Sequence, residues 1–125
     1  MVVPASGTDY SFEKIIQAEA AGTFTQISDL VAYTDGANGL GTGVGVLYKV
    51  EATYATPIQP TSTAGFTDIF AAVVGAPIDM EVTNTGPFTA TGVIGDFLTM
   101  VLTVGTNASQ GVTAAETLTF SWDEI

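Results

Sequence analysis

Histidine, cysteine and arginine are all missing from this chain of 125 residues, and lysine occurs only as Lys14 and Lys49. Each absence removes a class of chemistry. Without cysteine there is no disulfide framework, no thiolate metal site and no sulfur nucleophile. Without histidine the Ser-His-Asp and Cys-His arrangements cannot be assembled. Without arginine no guanidinium fork can clamp a phosphate or a carboxylate. Charge of either sign is scarce, at 12% of residues, and what there is runs heavily negative: thirteen acids against two lysines give a net charge of −11. Nucleic-acid binding rests on neutralising phosphates, and two lysines cannot make a basic patch. An anionic membrane surface repels the chain for the same reason.

Long hydrophobic runs are absent as well. The longest, near Phe70 to Ile78 and Phe97 to Val104, fall well short of the roughly 20 residues that a membrane-spanning helix needs. The start, Met1-Val2-Val3-Pro4-Ala5-Ser6-Gly7, carries no basic n-region and no secretory apolar core. Read as the true start, it implies synthesis in a cytoplasm without a cleaved signal.

What is present is threonine, at about one residue in six, with glycine and 46% apolar residues. That composition suits strands with one wet face and enough apolar content for one core. Alternation supports it. In Val44-Gly45-Val46-Leu47-Tyr48-Lys49-Val50-Glu51-Ala52-Thr53-Tyr54 the even positions are apolar, which predicts a long strand over 44–56 with Lys49, Glu51 and Thr53 on the wet face. Leu98, Met100, Leu102 and Val104 alternate likewise, as do Leu118, Phe120 and Trp122 against Thr117, Thr119, Ser121 and Asp123. Shorter strands are expected at Thr23–Ile27, Leu30–Thr34, Met80–Thr85 and Phe88–Val93. The loops Asp35–Gly43 and Gly105–Gly111 are turn-rich.

Residues 9 or 11 to 21 form the best helix candidate, with Asp9 or Ser11 as cap and Gly22 as stop, although a strand through Phe12 to Ile16 is also compatible. The segment from Asp68 to Gly75 reads equally as a buried strand or a short helix. The expected fold is therefore all-β and mainly antiparallel, a β-sandwich or jelly roll with one short N-terminal helix as its exception. An irregular arm over residues 1–8 precedes a single β-rich domain over 9–125.

The search for chemistry ends in ordinary surface features. Gly39-Leu40-Gly41-Thr42-Gly43-Val44-Gly45 lacks a following lysine and a helix N-terminus, so it reads as a turn and not a phosphate cradle. The close carboxylates Asp79/Glu81 and Asp123/Glu124 read as solvated strand faces rather than a glycosidase pair. Asp35 and Asn38 offer oxygen ligands that calcium would accept, but without the further acids of a helix–loop–helix site the plain Asn-Gly turn is the default. Trp122 shares the register of Leu118 and Phe120, which argues for the core or a subunit contact over a carbohydrate platform. No catalytic, cofactor or metal residue is assigned, and no enzymatic activity is expected.

On composition and on the closing segment Leu118-Thr119-Phe120-Ser121-Trp122, residues 22 to 125 resemble the small β-sandwich or jelly-roll decoration (cement) and fibre-base proteins of tailed bacteriophages. That resemblance implies a place on the outer surface of a virion, reached without a signal peptide when the host lyses. It also implies homo-oligomers, trimers foremost, bound to a capsid or other virion protein. An N-terminal arm reaching a neighbour, here Met1, Val2, Val3 and Pro4, would supply contacts. The competing class is a cell-surface β module, either a pilus or fibre subunit or a carbohydrate-binding domain. The electrostatic part of this reading has a direct check on DNA resins. At physiological salt the protein is expected to pass through duplex and single-stranded DNA columns unretained, and retention above the low-salt background would contradict it.

Overall fold

The computed structural model describes residues 2–111 and 113–125. Two antiparallel sheets, one of five strands and one of three, pack as a β-sandwich. Strands β1 (Thr8–Tyr10), β2 (Lys14–Ala20), β4 (Val44–Glu51), β5 (Thr67–Asp68) and β7 (Gly92–Gly105) make the larger sheet, and β3 (Ile27–Tyr33), β6 (Ile78–Asp79) and β8 (Thr119–Glu124) the smaller. The 14-residue β7 is the spine. Along one edge it pairs with β4 from Val44↔Val104 to Glu51↔Phe97. Along the other it pairs first with β1 (Thr8↔Gly105) and then with β2 (Lys14↔Met100 through Ala20↔Gly92).

Directly opposed residues on neighbouring strands share a sheet face. Ile16, Leu98 and Val50 therefore form one apolar row, and Met100 and Tyr48 lie in the next. Facing them from the other side are Ile27, Leu30, Ala32, Ile78 and Phe120. Leu98 and Met80 are wholly buried between the sheets. The alternation expected in β4, β7 and β8 is thus what builds the core.

Several sequence expectations need correction. Residues 11–21 hold no helix: Lys14–Ala20 is β2. Ile16, Ala18 and Ala20 face the core at period two, and Ser11, the expected cap, instead accepts the Leu102 N–H through its hydroxyl (2.9 Å). Gly22, with φ of +89°, does end the element. The strand expected over 44–56 stops at Glu51, and residues 52–66 fold back without regular structure. This loop lies against the face of β4 that was expected to be wet. The Glu13 N–H donates to the Ile58 carbonyl (2.9 Å), and the Lys49 ammonium sits 4.9 Å from the Phe66 ring centre. Thr99 and Val101, on that same face, are 1% exposed. Residues 68–75 are mostly neither alternative: after β5 comes a single 3-10 turn, Ile69–Ala71, capped by the Asp68 carboxylate on the Phe70 N–H (3.0 Å). Thr23–Gln26 and Phe88–Thr91 are irregular apart from an isolated bridge between Phe88 and Ile27.

Met80–Thr85 is likewise not a strand, and what it does instead joins the two sheets. β7 bulges where Ile16 and Ala18 of β2 face Leu98 and Ile94, and Gly95 takes φ of +70° within the bulge. This geometry lets the Asp96 N–H donate to the Met80 carbonyl (2.7 Å). A Cβ on Gly95 would stand 2.7 Å from that carbonyl oxygen and 2.9 Å from Leu30 Cδ2, so only glycine fits. The Asp96 side chain, 1% exposed, accepts the N–H groups of Thr83 and Asn84 (2.9 Å each). On the smaller sheet, β3 bulges between Ser28 and Val31 with Asp29 at φ of +53°. There the Leu30 N–H donates to one oxygen of Glu81, while the Gly86 N–H donates to the other. Glu81 is therefore half-buried and committed to the backbone, contrary to the solvated face expected of it, whereas Asp79 is exposed as expected. Replacing the buried Asp96 by alanine strips the Thr83 and Asn84 amides of their acceptor and is expected to cost about 2 kcal/mol, measured as a fall in urea midpoint. Gly95→Ala should also destabilise, whereas the exposed Glu19→Ala should stay within about 0.5 kcal/mol of the parent. An unchanged midpoint for Asp96→Ala would contradict the role given to this carboxylate.

Candidate functional site

Three of the sequence-derived sites concern the arm and the loops, and their positions differ sharply. Met1 lies outside the described residues. Val2 is exposed, Val3 and Pro4 are half-buried, and all three precede the first paired residue, Thr8. Val2 and Val3 border an open hollow of about 570 Å³ together with Val44, Leu102, Val104 and the segment around Ala108 to Gly111. The arm thus borders, across this hollow, the apolar end of the β4–β7 pair.

Asp35 and Asn38 are spent on their own loop. Asp35 accepts the Ala37 N–H (2.9 Å), and Asn38 accepts the Leu40 N–H (3.0 Å) while donating to the Val44 carbonyl (2.7 Å). Glu116 ties the preceding C-terminal segment onto this loop by accepting the Gly39 N–H. Among the described residues no group of three or more acids gathers in a form that would hold a metal ion. The Gly39–Gly45 run turns the chain into β4 and is backed by a strand, as the turn reading requires.

Both cations have settled positions. Lys49 bridges Glu13 (3.4 Å) and Glu51 (3.3 Å) under the 52–66 loop. The Glu13 side chain is 5% exposed, and its Oε1 has no hydrogen-bond donor beyond this ion pair. Lys14, on β2, is exposed.

For Trp122 the core alternative of the sequence reading is corrected, and the subunit-contact alternative is left standing. Its register is the one expected, in line with Phe120 and facing the other sheet, yet it is 49% exposed and so outside the core. The reason lies opposite it. β2 presents Ala18 and Ala20 there, too small to reach across the gap between the sheets. A groove of about 290 Å³ remains, floored by Ile27, Leu30 and Ile94, walled by Ala18, Ala20, Phe120 and Trp122, and rimmed by Glu19 and Glu124. Trp122 Nε1 donates to Glu124 Oε2 (3.3 Å) on that rim.

The groove marks a difference between the two sides of the sandwich. On the β5–β6 side the 3-10 turn fills the gap, with Ile69 and Phe70 buried and the Ala72 carbonyl accepting both the N–H (2.8 Å) and the hydroxyl (2.9 Å) of Thr34. On the β2–β8 side nothing comparable intervenes among the described residues. β2 pairs only with β7, and β8 only with β3. Sequence reading missed this site because it depends on which strands oppose one another. Its only local signal was the alanine-rich end of β2. No known family model, curated protein or solved structure matches this chain.

Proposed function

We propose that the chain is a non-enzymatic structural protein of a virion, an oligomeric decoration or cement protein on the outer surface of a capsid. The observation that carries this reading is the arm. Val2, Val3 and Pro4 stand ahead of every paired strand, Val2 and Val3 border an apolar hollow at the end of the β4–β7 pair, and Val2 is 72% exposed. Such a segment is poised to exchange its partial cover for a pocket on a neighbouring protein. The partner is a capsid or other virion protein, with a homo-oligomer, a trimer foremost, as the working unit. Exposed apolar groups elsewhere, among them Tyr54, Ile58 and Val74, supply surface for such contacts in a chain with few charges to desolvate. A charge of −11 suits the outside of a shell and would be misplaced against a packaged genome or an anionic membrane.

The competing reading is a cell-surface β module that binds carbohydrate, and it draws on the exposed indole of Trp122. Deleting residues 2–7 separates the two. Thr8 is the first residue in register with β7, so the truncated protein should keep its fold and unfolding midpoint. Mixed with shells that lack the protein, it is expected to bind with clearly lower occupancy than the full chain and to protect them less against heat. Equal occupancy would remove the arm from the function. A protein that attaches to no shell, stays monomeric and binds a glycan array would establish the competing class instead.

A further inference from the structure

The geometry points to the β2–β8 groove as the docking site for an extended segment of another protein, apolar at alternate positions and carrying lysine or arginine between them. This inference is independent of the virion reading, because it uses neither the arm nor the location of the protein.

Main-chain geometry supplies the first part. Ile125 exchanges hydrogen bonds with Gln26: its N–H donates to the Gln26 carbonyl (3.0 Å), and its carbonyl accepts the Gln26 N–H (3.2 Å). Successive residues of a strand point their N–H and C=O groups to opposite sides. The main-chain groups of Phe120, Trp122 and Glu124 therefore face away from β3, toward the open side. An added strand can pair with them, as in recognition by β-strand addition.

Side-chain geometry supplies the second part. An occupant lying along β8 directs every other side chain into the groove, onto Ile27, Leu30 and Ile94 and against the Trp122 ring. A branched apolar residue fills the gap that Ala18 and Ala20 leave.

Charge decides what kind of occupant it is. Glu19 and Glu124 border the groove, and Asp123 carries a further charge on the outer face of β8, the face that an occupant's residues between its apolar positions would share. A second copy of this chain would bring eleven further net negative charges and could offer only Lys14 freely, since Lys49 is held by Glu13 and Glu51. Self-association along this edge is therefore opposed, and a basic segment is drawn to it. Such rim charges act on encounter rate and partner choice.

Trp122 is the only tryptophan, so it reports on its own site. The test titrates the full chain with a short peptide in which valine alternates with lysine, to about 1 mM so that weak binding registers. The same peptide with glutamate in place of lysine serves as control. Expected are a blue shift of Trp122 emission and slowed exchange of the Trp122 and Glu124 amides with the basic peptide alone. Glu124→Lys, an exposed substitution that leaves the core intact, should weaken binding roughly three- to tenfold. Ala18→Leu, which fills the groove, should abolish it. An absent response, an equal response to the acidic peptide, or no effect of Glu124→Lys would overturn the proposal. A blue shift that grows with protein concentration alone would also overturn it, by assigning the groove to a second copy.

Discussion

The Asp96 carboxylate, buried at the bulge of β7 and bonded to two backbone amides, is the contact on which the rest of the sandwich depends. Its importance follows from composition. A buried carboxylate needs donors, and in most proteins lysine, arginine or histidine can provide them. Here only two lysines exist, and one is already committed on the outer face of the larger sheet. Charged donors are therefore scarce, and at Asp96 two backbone N–H groups take their place. Asp96 draws in the Thr83–Asn84 turn, and Glu81, one step earlier along the same segment, closes onto Leu30 of β3. One stretch of irregular chain thus ties the longest strand of one sheet to the central strand of the other, and two acids act as its anchors.

That arrangement also explains why the sandwich is uneven. The segment from Thr67 to Phe88 supplies the 3-10 turn, β6, the Glu81 anchor and the amides that Asp96 of β7 holds, and it seals the side of the molecule along which it runs. Nothing of this kind reaches the β2–β8 side. Alanines in β2 keep that strand close to the bulge of β7 but leave Trp122 without a facing partner. Half the indole is consequently wet, in a position where strand register alone would bury it. The exposed aromatic and the unpaired strand edge have the same physical origin.

Much of the fold was legible in the residues, because a half-buried strand writes its burial into period-two alternation. β4, β7 and β8 were found this way, and so was the all-β class. β2 was misread because Glu13, Lys14, Gln17, Ala18 and Glu19 are strong helix formers, and pairing with β7 overrides that local preference. Met80–Thr85 alternates as a strand would, and Met80 is buried accordingly, but beyond it the roles reverse: Val82 is exposed and Glu81 turns inward to the backbone. A hint was available in Gly95-Asp96, which interrupts an apolar run and marks a bulge. The groove was not legible, since no local pattern reveals which side chains will face each other across two sheets. The arm residues could be named from the sequence, whereas the hollow that Val2 and Val3 share with Val44 and Val104 could not.

Amide hydrogen exchange, read residue by residue, tests most directly whether carboxylate anchors seal one side of the sandwich and leave the other open. The amides of Thr83 and Asn84, on Asp96, and of Leu30, on Glu81, should exchange as slowly as those in the centre of β7, opening only with the whole molecule. In the unliganded protein the amides of Trp122 and Glu124 should exchange orders of magnitude faster. Fast exchange at Thr83 and Asn84 together with full protection at Trp122 and Glu124 would contradict that division.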